Sequence, residues 1–122
     1  MTEINAAVVK WFQARGISEG NLRDIGVYSW RQQANGGATN VLPDPQGNLI
    51  VYPYYEGDAI VNAKFRGAGK RFFQMPGGKK VFYNVNVLKD SAVIEGRVPL
   101  VITEGENDLL ALREAGNPFG VS

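Results

Sequence analysis

The sequence predicts an α+β fold: a small helical lead-in, a curved antiparallel sheet, and then the first strand–helix unit of an α/β fold. Three observations carry this. Residues 3–25 show apolar spacing of 3.6 with helix stop signals, and residues 39–84 break into short alternating runs between glycine-rich turns. Residues 98–116, VPLVITEGENDLLALREAG, read as a strand, an acidic turn and a helix.

The lead-in comes first. Val8, Trp11, Phe12 and Arg15 follow i, i+3, i+4, i+7 with Ala7 alongside, which predicts a helix over residues 3–15 that Gly16 ends. Ser18 is a fitting N-cap for a second helix through Ile25, closed by Gly26. Asn35, Gly36 and Gly37 form a turn or linker and the best internal boundary. Three parts follow: a helical part (residues 1–35), a basic β-rich part (36–95) and the strand–helix part (96–122).

In the β-rich part, residues 44–48 (DPQGN) are a turn signal between strands at 39–42 and 49–54. Glu56, Gly57 and Asp58 turn the chain into a strand over 59–66, where Ile60, Asn62, Lys64 and Arg66 alternate with Val61, Ala63 and Phe65 to give one polar face. Residues 70–74 read as a fourth strand, 76–78 as a turn and 80–84 as a fifth strand. One helical turn over 85–88 leads into a linker. Alternation points Phe65, Phe73 and Phe82 inward.

The run at 98–102 is β-branched and lacks alternation, so a strand buried on both faces is expected. Leu109, Leu110, Leu112 and Ala115 recur at helical spacing and Gly116 ends the helix. Between them stand Glu104, Glu106 and Asp108. In open parallel sheets ligands bind beyond the carboxyl ends of strands, so Glu104 lies at that edge. Asp108 falls in the first helical turn, where the dipole favours an anion. Carboxylates so clustered repel unless a cation joins them, and hard oxygen ligands suit Mg²⁺ or Mn²⁺. The alternative is an acidic first turn that only caps the helix.

Composition narrows the function. The chain has 122 residues, 44% apolar, with a net charge of +1. It has no histidine and no cysteine, which excludes zinc ribbons, disulfides and Ser-His or Cys-His nucleophile pairs. It shows neither a signal peptide nor a membrane span, so a cytoplasmic protein is expected. The near-neutral total hides segregation. Residues 59–89 contain no acid but hold Lys64, Arg66, Lys70, Arg71, Lys79, Lys80 and Lys89, with aromatics between them. Such a run suits phosphates, with rings available to bases; the alternative is a solvated sheet face. Gly69-Lys70 and Gly78-Lys79 are not phosphate loops, because Lys64 and Phe73 stand where that motif needs glycine.

Four pieces in order, FQARGISEGNLRDIGVYS, LIVYPYYEGDAIVNAKFR, KRFFQMPGGKKVFYN and the EGEND motif, resemble the RNA-polymerase domain of phage-type primase-helicases. TEGENDLLAL resembles the first motif of the TOPRIM domain of bacterial-type primases and topoisomerases. The resemblance implies DNA-directed RNA primer synthesis from nucleoside triphosphates on a single-stranded DNA template. Glu104 is then the catalytic carboxylate, and Glu104 and Asp108 contribute to a weakly bound Mg²⁺ or Mn²⁺, with Glu106 ranked third. Lys64, Arg66, Lys70, Arg71, Gln74, Lys79 and Lys80 become nucleic-acid contacts. A later D-x-D motif completes the metal site in the family and does not occur by Ser122, so the 122 residues are expected to bind template without polymerising alone. A helicase domain or the rest of a TOPRIM domain is the implied partner. A non-catalytic single-strand binding module and a structural fragment remain the other readings.

Overall fold

The computed structural model describes residues 4–31, 47, 49–67 and 71–122. The expected linker at 35–37 and strand at 39–42 lie outside them, as do Lys70 and most of the 44–48 turn.

Helix α1 (Ala6–Gln13) begins at Asn5, whose Oδ1 accepts the Ala7 N–H at 2.8 Å. Helix α2 (Glu19–Ile25) begins at Ser18, whose Oγ accepts the Asn21 N–H at 3.3 Å, and ends at Gly26. Gly26 takes φ 86°, a left-handed conformation that costs glycine little. Both caps satisfy N–H groups that the helix cannot.

Strands β1 (Tyr28–Trp30), β2 (Leu49–Glu56), β3 (Ala59–Arg66) and β4 (Phe72–Gln74) form one antiparallel sheet in that order. Pro53 lies past the end of β1, where one edge of β2 is open and no ladder hydrogen bond is lost. Register places Tyr52 opposite Lys64, Lys64 opposite Gln74 and Arg66 opposite Phe72, so these side chains share one face. A 3-10 turn (Val85–Lys89) and a short helix α3 (Ser91–Ile94) lead to β5 (Val101–Ile102), helix α4 (Glu106–Glu114) and β6 (Gly120–Val121). Strands β5 and β6 are parallel.

Two apolar clusters hold the molecule together. The first joins α1, α2, one face of β2, Tyr83 and α4 through Phe12, Leu22, Ile50, Tyr52, Leu109 and Leu110. The second covers the opposite face of the sheet with Trp30, Val51, Ala63 and Phe65. Each fully buried leucine stabilises the fold by about 1.5–3 kcal/mol. Helix α4 is also tied to α2, because Glu114 Oε1 accepts from the Ser18 N–H (2.9 Å) and the Asn21 amide (3.1 Å).

Several expectations change. No strand forms over residues 80–84: Asn84 adopts φ 64°, and Tyr83 instead exchanges two backbone hydrogen bonds with Ser122. Phe82 is 52% exposed and its neighbour Tyr83 is buried, the reverse of what alternation suggested, because the chain turns there. Strand β5 is two residues long with Ile102 72% exposed, so it is not buried on both faces. The face of β3 expected to be polar is partly covered, and Asn62 is buried. Strand β1 and helix α3 were not anticipated.

Candidate active site

Burial of Leu109 and Leu110 fixes how α4 rotates. Glu106, one turn earlier, therefore faces the sheet. On the sheet Tyr52, Tyr54 and Lys64 stand on the face beneath it. Tyr52 donates its hydroxyl to Asn107 Oδ1 at 2.7 Å, and Tyr54 donates its hydroxyl to Glu106 Oε1. Lys64 Nζ reaches the same Oε1 at 2.9 Å. Burial raises the Glu106 carboxyl pKa, but the hydrogen bonds from Lys64 and Tyr54, its backbone and the Lys64 charge outweigh it and hold the pKa below the ordinary value. Burial, with the accepting Glu106 and its charge, pushes Tyr54 up. The result is a neutral tyrosine and an ionised carboxylate, the pairing each hydrogen bond needs.

Beside this anchor lies a cleft of 210 Å³. Tyr52, Lys64, Arg66 and Phe72 line it from the sheet, and residues 105–108 from the start of α4. Gly105 opens the helix in extended conformation with no side-chain cap. A methyl group there would lie 3.9 Å from Asp108 Oδ2, so that carboxylate lies beside the Gly105 backbone. Thr103 secures the approach from β5, its hydroxyl shared between the Gly105 and Val121 carbonyls. Two larger hollows, of 360 and 440 Å³, flank α2 and contain none of the sequence-predicted site residues.

Those predicted residues divide. Lys64, Arg66 and Asp108 line the cleft; Gln74 stands opposite Lys64 on β4. Glu104 is exposed between β5 and α4. Arg71 lies over the Phe73 ring at 5.5 Å, on the side of the second cluster. Lys79 pairs with Glu56 at 2.5 Å near the β2–β3 turn, and Lys80 is exposed next to it. The three acids do not converge: Glu106 turns to the sheet, and among the described residues no group of three Asp or Glu could hold a metal ion. Tyr52, Tyr54 and Asn107 were missed. The alternation of LIVYPYYE placed both tyrosines on one face, but nothing local told which face met α4.

Among the described residues, two helices over a four-stranded antiparallel sheet, with a strand–acidic turn–helix unit docked beside them, resemble part of the fold of the DnaG catalytic core. That solved structure matches with a TM-score of 0.65 over 95% of this chain and 46% of its own, at 16% identity, a likeness of fold.

In sequence the chain is similar to the Primase homolog protein of Arabidopsis thaliana, 31% identical over 68 residues. It is also similar to the Twinkle homolog protein, chloroplastic/mitochondrial, of that plant, 29% identical over 68 residues. The match takes in 56% of this chain but 18% and 9% of those relatives, so the chain spans less than a fifth of either. No family model matches it. The resemblance to primases is thus shown in sequence as well as in fold. Among the described residues no helix is long and apolar enough to cross a membrane.

Proposed function

We propose that the chain is part of the polymerase domain of a DNA primase of the primase-helicase type. It holds single-stranded DNA template and contributes to Mg²⁺-dependent RNA primer synthesis from nucleoside triphosphates. The observation that carries this is the 210 Å³ cleft, in which the acidic turn opening α4 faces Lys64 and Arg66 across the sheet. Cations on one wall suit phosphates; carboxylates on the other suit a hard cation.

The residues present fit such a cation in part. Magnesium is commonly held by one or two carboxylates, with waters and substrate phosphates completing the shell. Glu104 and Asp108 are exposed and flank one turn, and Mn²⁺ suits the same oxygens. Glu106 is engaged by Lys64 and Tyr54. When bound, the metal supplies charge stabilisation at the reacting phosphate. Glu104 would orient it or handle the proton of the attacking hydroxyl, Asp108 would complete the carboxylate pair, and Arg66 would hold a phosphate. The remaining ligands, and a helicase, would come from the longer polypeptide.

The test is extension of labelled ribonucleotides on a single-stranded template by the native protein containing this chain, with binding followed by fluorescence anisotropy. Glu104→Gln should abolish synthesis and leave DNA affinity nearly unchanged. A Glu104→Gln protein that still makes primer overturns the assignment. The dispersed acids favour a second reading, a non-catalytic single-strand binding module; template binding without synthesis by the native protein would establish it.

A further inference from the structure

The face that lines the cleft continues beyond it as four alternating cations and rings. The Arg15 guanidinium lies 3.5 Å from the centroid of Trp11 on α1. The Arg66 guanidinium lies 4.8 Å from the same indole and 5.0 Å from the Phe72 ring on β4. Two segments distant in sequence, α1 and the β3–β4 pair, thus meet in one ladder. Among the described residues neither Arg15 nor Arg66 forms an ion pair. Arg15 Nη1 also donates to the Trp11 carbonyl at 2.9 Å; among the described residues the rings leave most of the remaining N–H groups of the two guanidiniums available to an anion.

Phe72 ends the ladder and is 59% exposed. Strand alternation forces this, since Phe73 turns to the other face and stacks on Phe65 at 4.7 Å. A protein partner would be met by a contiguous apolar patch. Here a single flat ring stands at the lip of a cleft, with a guanidinium beside it and Lys64, paired with Glu106, two residues back along β3. Flat apolar face plus cations spaced along a strand is the chemistry that receives an unpaired base and its flanking phosphates.

We infer that Phe72 is a stacking platform for one nucleobase of the single strand, with Arg66 and Arg15, set by Trp11, tracking the adjacent phosphates. The inference rests on the nucleic-acid reading above and adds to it a base contact distinct from the phosphate contacts.

The experiment compares an oligothymidylate with an abasic strand of the same length and charge, by fluorescence anisotropy on the full chain. Phe72→Ala should weaken the base-bearing strand by about 5- to 150-fold, the range for losing one stacked base, and leave the abasic strand within about twofold. Phe72→Trp should restore binding. Phe72 is exposed, so the variant should fold, which circular dichroism checks. If Phe72→Ala changes neither strand, or weakens both equally, stacking is overturned while the nucleic-acid reading stands. If neither strand binds the unaltered chain, both fall.

Discussion

Replacing Glu106 by glutamine should loosen α4 from the sheet while leaving the shape of the contact in place. Tyr54 can still donate to the amide oxygen, so the change isolates the charge. The Glu106 side chain is 16% exposed and that of Lys64 39%, so the pair is more protected than a surface ion pair but not dry. Exposed pairs contribute about 0.2–1 kcal/mol, and a hydrogen bond to a charged group about 1.5–3 kcal/mol. Screening at Lys64 argues for the lower part of that span, so the coupling should be about 1 kcal/mol. For a chain of this length that is roughly 4 °C in Tm. The assay is thermal unfolding of the unaltered chain, Glu106→Gln, Lys64→Met and the double variant, which isolates the pair term. The pH dependence has a fixed sign. Because the folded pKa is lowered from 4.5, the contribution is complete above that value and fades as pH falls through the folded pKa. The gap between the unaltered chain and Glu106→Gln should therefore close under acid. Additive single variants, or a gap that widens as pH falls, would refute the pairing.

Gly78→Ala should cost about 1–3 kcal/mol by overpacking, since a methyl group there would meet Asn62 Oδ1 at 1.9 Å; urea unfolding measures this, and an unchanged midpoint would contradict the placement of the 76–78 turn. Among the described residues the buried Tyr83 hydroxyl has no hydrogen-bond partner, so Tyr83→Phe should be neutral or stabilise by up to about 1 kcal/mol; a clear loss of stability would mean that the hydroxyl is satisfied. Salt titration of single-stranded DNA binding should lose about 0.7 log units of slope for each phosphate contact removed, so Arg66→Ala should flatten it while Lys79→Ala, tied to Glu56, should not. Calorimetry with Mg²⁺ should give weak, millimolar binding that the Glu104→Gln, Asp108→Asn variant loses, and equal heats from both would remove the metal site.

Local signals were legible where one segment decides its own structure. Ser18 and Gly26 bounded α2 and Gly57 marked the β2–β3 turn, because caps and turns need particular residues within a few positions. Long-range choices were not. Alternation named Phe82 for burial, but the left-handed Asn84 and the pairing of Tyr83 with Ser122 turn the chain and bury the tyrosine. The acidic turn was visible as three carboxylates, with Glu106 ranked behind Glu104 and Asp108. Only the docking of Leu109 and Leu110 separates Glu106, which holds the sheet, from Glu104 and Asp108, which face water. Likewise the basic run did not reveal that Lys64 and Arg66 would part from Arg71 and Lys79.

The tie between Ser18 and Glu114 spans 96 residues, and it bears on when the protein can fold. Helices α1 and α2 emerge from the ribosome long before Leu109 and Leu110, which are part of the surface that covers Phe12 and Leu22. Closing so long a loop precedes any gain from the contact, which slows folding. Until α4 is synthesised, the part of that apolar surface not covered by β2 and Tyr83 stays open to water and to other chains. The nascent chain is therefore expected to depend on holding chaperones at that stage, and its release to follow the arrival of Glu114 rather than completion of the sheet.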